Sequence, residues 1–298
     1  MSRVPDPLAR AYAACEAIAR ADDGYVRVRV RLLPAAMRRH VAAIDAYLRT
    51  ARGIAAGRSA PAADRLVTLD AWRRRLHAAV AVEWSGGAPH AHEDLIVVAL
   101  AHSIRSLDLP MALFDDLVSA CGEDTMTTRY DSWADVFDHC RRAANPLGRL
   151  VLRVAGYRDE ALDRSSDALC TALQLTSYWQ DFDRDWLIGR LYVPRDVTAA
   201  CRAREMDLAA PWLNEAWTAA IRQCVDRTRG QFEGGRAVCD GVTGRLRYER
   251  RLTWLSGTRL LERIEQAGPA LRSQRPAIGA ADQLRLLWRA ARWRAGPS

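Results

Sequence analysis

The 298 residues carry a formal net charge of +8, with 49% apolar and 27% charged side chains, the balance of a globular chain rather than a disordered one. No apolar run approaches the roughly 18–20 residues of a membrane span; Leu95–Ala101 is the most apolar piece. All 44 basic residues are arginine, which excludes Schiff-base lysine chemistry and a Walker lysine.

The charge is divided along the chain, at +8 over residues 1–80, −8 over 81–244 and +8 over 245–298. A pI near 9.4 is the generic sign of nucleic-acid binding. Basic flanks around an acidic centre suit a polyanionic small substrate held by metal equally well, and no nucleic-acid partner is expected. The N-terminus lacks an apolar h-region, which argues against a secretory leader. Seven cysteines form no C-x-x-C pair, so the expectation is a cytoplasmic protein with buried, reduced thiols.

Apolar residues at three- and four-residue spacing predict helices over 8–20, 35–56, 62–82, 95–107, 110–121, 132–143, 147–155 and 163–187, then 213–238, 246–267 and 281–293. Asp94, Ser132 and Ser165 precede periodic stretches in the manner of N-caps. Breaks fall at 85–90, 108–110, 145–146 and 268–276, with no low-complexity linker and no fixed-period repeat. The one alternating stretch, Tyr25–Arg31, has no partner strand and reads as a lead into Leu32–Leu33–Pro34. Asp22–Asp23 reads as a turn. The expectation is an all-α single domain over residues 1–298, a helical bundle around a central cavity. The last helix puts Leu284, Leu287 and Trp288 on one side, with Arg285, Arg289 and Arg292 elsewhere; a helix packed on the bundle is the commoner explanation, and peripheral membrane contact the other.

The segment Gln180–Pro194 reads Q-D-F-D-R-D-W-L-I-G-R-L-Y-V-P. Asp181 and Asp185, four apart, fall on one side of a helix, where two carboxylates can share a Mg²⁺ that also meets a substrate phosphate. Arg190 just beyond suits the same phosphate. Gln174, Ser177 or Tyr178, Asp181 and Asp185 form a polar stripe, costly if turned inward unless metal or hydrogen bonds satisfy it. D-x-x-x-D alone is common on solvated helices. His40, His77 and His102 lack metal-ligand spacing.

Ser166–Pro194 resembles the second aspartate-rich segment of the squalene/phytoene synthase family. Leu32–Leu33–Pro34 with Arg38 or Arg39 and His40–Val41–Ala42–Ala43 is similar to that family's L-L-P block. Arg129–Tyr130, Trp133, Cys140–Arg141 and Ala144–Asn145–Pro146–Leu147–Gly148–Arg149 resemble its central block, in a form nearest the hydroxysqualene synthase branch. The resemblance spans roughly residues 10–270. It implies an all-α isoprenoid-synthase fold in which aspartate-held Mg²⁺ triggers loss of a prenyl diphosphate. On it, Asp181 and Asp185 are the metal ligands, with Gln174 and Tyr192 beside them. Arg38, Arg49, Arg52 and Arg190 would take diphosphate charge. Tyr47, Tyr178, Phe182 and Tyr248 would line the substrate cavity, with Trp179 and Trp186 as further candidates; for each aromatic, core packing is the commoner role.

The chain departs from the family where a D-D-x-x-D segment should follow the L-L-P block. The matching positions are Arg52, Gly53 and Ala56, none of which can ligate Mg²⁺. Ser177 stands where asparagine is usual. An inert relative, or the usual two-prenyl chemistry with an altered metal shell, would follow. The preferred expectation is a prenyltransferase using one prenyl diphosphate, farnesyl, held by Asp181 and Asp185. The freed partner would be an aromatic acceptor such as the indole of a tryptophan-containing cyclic dipeptide, as in a phytoene-synthase-like branch of the family. Asp45 would accept the indole proton or pair with Arg49 at i+4, the ion pair being favoured. Squalene-type synthesis is the alternative, and a non-catalytic assembly protein the third.

Overall fold

Helix α2 (Ala35–Ala56) buries Met37, Val41, Ile44, Leu48, Ala51 and Ala55, the three- and four-residue steps of a stripe that covers a core. The computed structural model describes residues 6–20, 32–57, 59–82 and 92–294. Among them are fourteen α-helices, 3-10 turns at Glu205–Ala209 and Gly268–Arg272, and no strand. One isolated parallel bridge joins Arg129 to Leu191. The all-α expectation holds; Asp22–Asp23 and Tyr25–Arg31 lie outside the described residues.

The chain forms two compact units, interleaved along the sequence. One takes Arg29–Met126 and Arg149–Arg158 together with the N-terminal helix, the other Thr127–Gly148 and Asp159–Ser298. In the first unit α1 (Pro7–Arg20) packs on α2 and α4 (His92–Leu107), and α3 (Ala62–Ala81) packs on α2, α4 and α5 (Met111–Glu123). Tyr47 stacks on Trp72 at 5.1 Å and meets Phe114 edge-on at 6.2 Å. Polar side chains join the helices as well: the Tyr12 hydroxyl reaches His40 Nδ1 at 3.3 Å, His102 Nδ1 at 2.8 Å and Ser103 Oγ at 2.9 Å. Arg39 Nε donates to His40 Nε2 at 3.2 Å, which assigns the neutral ring's proton to Nδ1. Burial, with Arg39 and His102 beside it, pushes His40 down to about 4.

In the second unit α8 (Glu160–Gln180) packs against α6 (Trp133–Ala143), α11 (Glu215–Gly234) and α13 (Gly244–Ala267). α7 (Asn145–Val154) starts in this unit and ends in the first. Short helices α9 (Phe182–Leu187), α10 (Arg195–Ala200) and α12 (Val238–Gly241) and the last helix α14 (Ala280–Ala291) complete it.

Several boundaries differ from the periodicity. Ser132 caps α6 as expected, in a capping box with Asp135. Asp94 does not cap α4: the helix starts two residues earlier and places Asp94 in its first turn, where Arg75 pairs with it. α8 starts at Glu160 because Asp159 accepts from Leu162 N at 2.8 Å. Ser165 is therefore interior, donating to Gly234 O and accepting from Val238 N. The expected helix over 213–238 stops at Gly235, where a Cβ would sit 2.6 Å from Leu169 N of α8, so close backbone approach requires glycine at that position. The expected single helix over 163–187 breaks at Asp181 (φ −96°, ψ 15°) into α8 and α9.

Candidate functional site

Between Leu169 and Gln180 every residue of α8 is buried except Gln174 and Ser177. Beyond the break, Asp181 and Asp185 are likewise half-buried, while Phe182 is buried. The stripe expected from spacing is thus the accessible edge of a helix otherwise enclosed on all sides. Apolar burial fixes the rotation of α8, and the polar side chains take what remains.

The break at Asp181 has tertiary causes. Arg275 grips the carboxylate with Nε on Oδ1 at 2.6 Å and Nη2 on Oδ2 at 3.3 Å. Gln180 Nε2 donates to Pro276 O at 2.8 Å, and Arg272 Nε donates to Asp183 Oδ1 at 2.9 Å. Asp185 N still donates to Asp181 O at 2.8 Å, so the two carboxylates stay one turn apart although they no longer share one helix. After α9, Gly189 (φ +84°) takes the left-handed turn that a side chain disfavours, and Arg190 N closes on Asp185 O at 2.7 Å.

The chain then runs beside Thr128–Tyr130. Leu191 N donates to Thr128 O and Arg195 N to Tyr130 O, both at 3.0 Å. This brings the Tyr192 ring onto Tyr178 at 3.6 Å and 7°, with Tyr130 at 5.7 Å and 21°. His139 lies 5.6 Å from Tyr130 and 6.4 Å from Tyr178. Arg129 secures the turn from outside, donating to Gly189 O at 2.7 Å, holding Glu205 bidentately and standing 5.6 Å from the Trp186 ring. The guanidinium keeps the Glu205 carboxyl below its ordinary range.

The remaining candidates divide by environment. Phe182 packs on Trp217 at 5.7 Å, and Trp179 donates to Thr228 Oγ1 at 2.8 Å; both are core contacts of the second unit. Half-buried Tyr248 gives its hydroxyl to Leu287 O of α14 at 3.1 Å. Ser177 Oγ turns back to Leu173 O at 3.1 Å, a helix-internal bond open to a short hydroxyl.

In the first unit, Arg38 Nε donates to Leu33 O at 2.9 Å and so fastens the L-L-P segment. Arg49 Nε pairs with Asp45 Oδ2 at 2.6 Å, the favoured alternative for that carboxylate. Arg52 is half-buried, Gly53 and Ala56 are exposed, and Asp45 is the only acid of α2. Tyr47 is buried, its hydroxyl without a hydrogen-bond partner among the described residues. Sequence reasoning missed Arg275, Arg272 and His139; a lone arginine some ninety residues downstream in an arginine-rich chain carries no local signal.

Among the described residues no three His, Cys, Asp or Glu side chains gather as a metal site, so a closed protein cage does not fit. Mg²⁺, which commonly takes one or two carboxylates and fills its shell with water and phosphate oxygens, does fit the chemistry of Asp181 and Asp185. All seven cysteines are free thiols, six of them buried. Among the described residues no helix is long and apolar enough to cross a membrane.

A profile of the squalene/phytoene synthase family matches residues 7–282, and members of that family transfer prenyl groups from prenyl diphosphates. A hydroxysqualene synthase of Sinorhizobium fredii is 35% identical over 136 residues, 45% of this chain and 46% of that protein. The match spans about half the length of that relative. A 15-cis-phytoene synthase of Synechococcus elongatus is 28% identical over 78% of this chain and 76% of its own. The crystal structure of squalene synthase HpnC from Alicyclobacillus acidocaldarius superposes with a TM-score of 0.79 at 32% identity, covering 89% of this chain and 97% of that one. A dehydrosqualene synthase shares the fold at a TM-score of 0.82 and 17% identity, over 97% and 99% of the two chains.

Proposed function

The chain belongs to the squalene/phytoene synthase family, and we propose that it transfers one prenyl group, farnesyl, from a single diphosphate carried on Asp181 and Asp185. The acceptor is a non-diphosphate aromatic molecule, such as the indole of a tryptophan-containing cyclic dipeptide. The reading takes residues 1–298 as one catalytic domain. One observation carries it: the accessible edge of α8 ends in two carboxylates, whereas α2 offers only Asp45, already paired with Arg49.

In this reading Asp181 and Asp185 hold Mg²⁺, which when bound neutralises the charge of the leaving diphosphate. Arg190 takes a phosphate oxygen through its fork, and Arg38, Arg49 and Arg52 are the first unit's candidates for positive charge. Gln174 orients polar groups along the same edge. An allylic cation survives only where water is excluded; the stacked Tyr178 and Tyr192 and buried Phe182 supply a dry surface. The two tyrosines cover each other's faces, so they serve as wall more than as cation-facing rings. Tyr47 in the first unit and Tyr248 in the second are further apolar candidates, each taken within its own unit, and Asp45 accepts the acceptor's proton only if Arg49 releases it.

A second reading rests on the relatives, which are hydroxysqualene and phytoene synthases: squalene-type coupling of two prenyl diphosphates. Incubation with farnesyl diphosphate and Mg²⁺, with and without cyclic dipeptides containing tryptophan, separates the two. A prenylated dipeptide is expected. Hydroxysqualene or squalene made without dipeptide favours the second reading, and no release of diphosphate under any condition favours a non-catalytic assembly protein.

The free thiols fit a reducing cytoplasm. Peripheral contact with an anionic bilayer is part of the proposal, because α14 leaves Leu284, Leu287 and Trp288 exposed beside exposed Arg285, Arg289 and Arg292.

A further inference from the structure

The segment that follows α13 crosses the acidic stretch and clips it at three successive points. Arg272 takes Asp183, Arg275 takes Asp181 through both carboxylate oxygens, and Pro276 O takes the Gln180 amide. The clip is itself anchored, since Leu213 N donates to Pro269 O at 3.0 Å and Arg272 Nη1 to Ala210 O at 3.1 Å. Of the three contacts, the one on Asp181 bears on chemistry.

A carboxylate oxygen engaged by a guanidinium N–H at 2.6 Å has its lone pair directed at that proton, and a cation cannot use the same direction. With both oxygens of Asp181 engaged, a metal ion approaching from the side that Arg275 holds has to displace it, while the second lone pair of each oxygen faces away. The pair is also accessible enough to exchange, with side-chain exposures of 42% for Arg275 and 30% for Asp181. Arg184, 3.6 Å from the same carboxylate, is too distant for a strong hydrogen bond and adds only diffuse charge.

We infer that Arg275 is a stand-in cation for Asp181, competing with the divalent metal for one carboxylate and setting how tightly the chain holds metal by itself. The inference rests on the reading that Asp181 is a metal ligand. Its consequence is linkage: any anion that draws Arg275 off Asp181 strengthens metal binding, and the metal strengthens binding of that anion by the same factor. A diphosphate, which pairs well with arginine's planar fork, is an anion of that class. The clip therefore favours loading metal and diphosphate together over metal alone. Gln180 and Pro276 keep the segment in register while Arg275 moves, because their bond does not involve the carboxylate.

The test is Mn²⁺ binding to the full chain without substrate, read from the electron paramagnetic resonance signal of free Mn²⁺. Arg275→Ala and Arg275→Gln should each tighten Mn²⁺ by about two- to fivefold, the range an exposed ion pair commands. Arg184→Ala removes an equal charge without the bidentate contact and should change affinity less than twofold. Asp181→Asn should abolish the site. If Asp181→Asn binds Mn²⁺ as the wild type does, the metal assignment and the inference fall together. If Asp181→Asn loses binding but neither Arg275 variant gains any, the metal site stands and the competition is refuted. An equal gain from Arg184→Ala also refutes it, since general charge would then explain the effect.

Discussion

Two segments of this protein match the places where the resemblance to squalene/phytoene synthases puts acids, and their carboxylates are held in opposite ways. On α2, where the family resemblance would place a D-D-x-x-D segment, stand Arg52, Gly53 and Ala56, and the one acid, Asp45, pairs with Arg49 within the helix. On the α8–α9 segment Asp181 and Asp185 persist one turn apart, and the neutralising arginine comes from a distant stretch, Arg275. An i,i+4 pair forms wherever the helix forms. A pair closed across 94 residues depends on tertiary structure and can be opened by a ligand without unfolding a helix. The difference separates an acid paired inside its own helix from one whose partner a ligand can draw away.

The contrast is sharpened most by removing the retained carboxylates. Asp181→Ala and Asp185→Ala should each lower turnover by at least about a hundredfold, because a lost ligand removes several kcal/mol of leaving-group stabilisation. Steady-state release of diphosphate checks this, and normal turnover in both variants would erase the contrast. Tyr192→Ala should destabilise the chain by about 3 kcal/mol, the scale for truncating a buried aromatic. Thermal unfolding reads that loss; an unchanged midpoint would mean that the Tyr178–Tyr192 stack contributes little.

A third break comes from charge reversal on α2. If that segment now serves by positive charge, Arg52→Asp should weaken binding of a prenyl diphosphate analogue by about tenfold, on the scale of one charge-assisted contact. Calorimetric titration measures it, and an unchanged affinity would reduce Arg52 to scaffold as well.

The pH dependence is smaller. His40 is held neutral, with its folded value near 4 against an ordinary 6.5. A depressed histidine means that the unfolded chain binds the extra proton first. Stability is therefore full above about pH 6.5 and falls as pH drops toward 4. The loss should be on the order of 1–2 kcal/mol after solvent screening, through loosening of the Tyr12, His102 and Ser103 contacts around it. Urea midpoints across that range check it, and His40→Gln should flatten the slope.

The smallest effect belongs to Asp45. Asp45→Asn should cost only about 0.2–1 kcal/mol, the scale of an i,i+4 ion pair that keeps contact with solvent, with turnover kept. A large loss of turnover with unchanged stability would instead assign Asp45 to proton transfer.

Much of the fold was legible in the sequence because buried residues recur with helical spacing; on α2 the apolar stripe and the buried stripe coincide. The polar edge of α8 was legible for the same reason. The break at Asp181 was not, since nothing local demands it: Asp-Phe-Asp-Arg-Asp is a modest helix former without Gly or Pro to break it, and the contacts at the break come from Arg272, Arg275 and Pro276. The need for glycine at Gly235 likewise comes from α8–α11 packing, whereas the interior place of Ser165 follows from the local cap at Asp159. Tyr192 was legible as a site candidate but not its stacking on Tyr178, which depends on the chain pairing with Thr128–Tyr130.

The central claim is that one diphosphate, rather than two, binds this chain. Titrating the wild-type protein with farnesyl S-thiolodiphosphate, which resists ionisation, in saturating Mg²⁺ counts the sites directly by calorimetry. The account predicts one molecule per chain, with binding lost in Asp181→Asn. Two molecules per chain, or one whose binding survives Asp181→Asn, would contradict it.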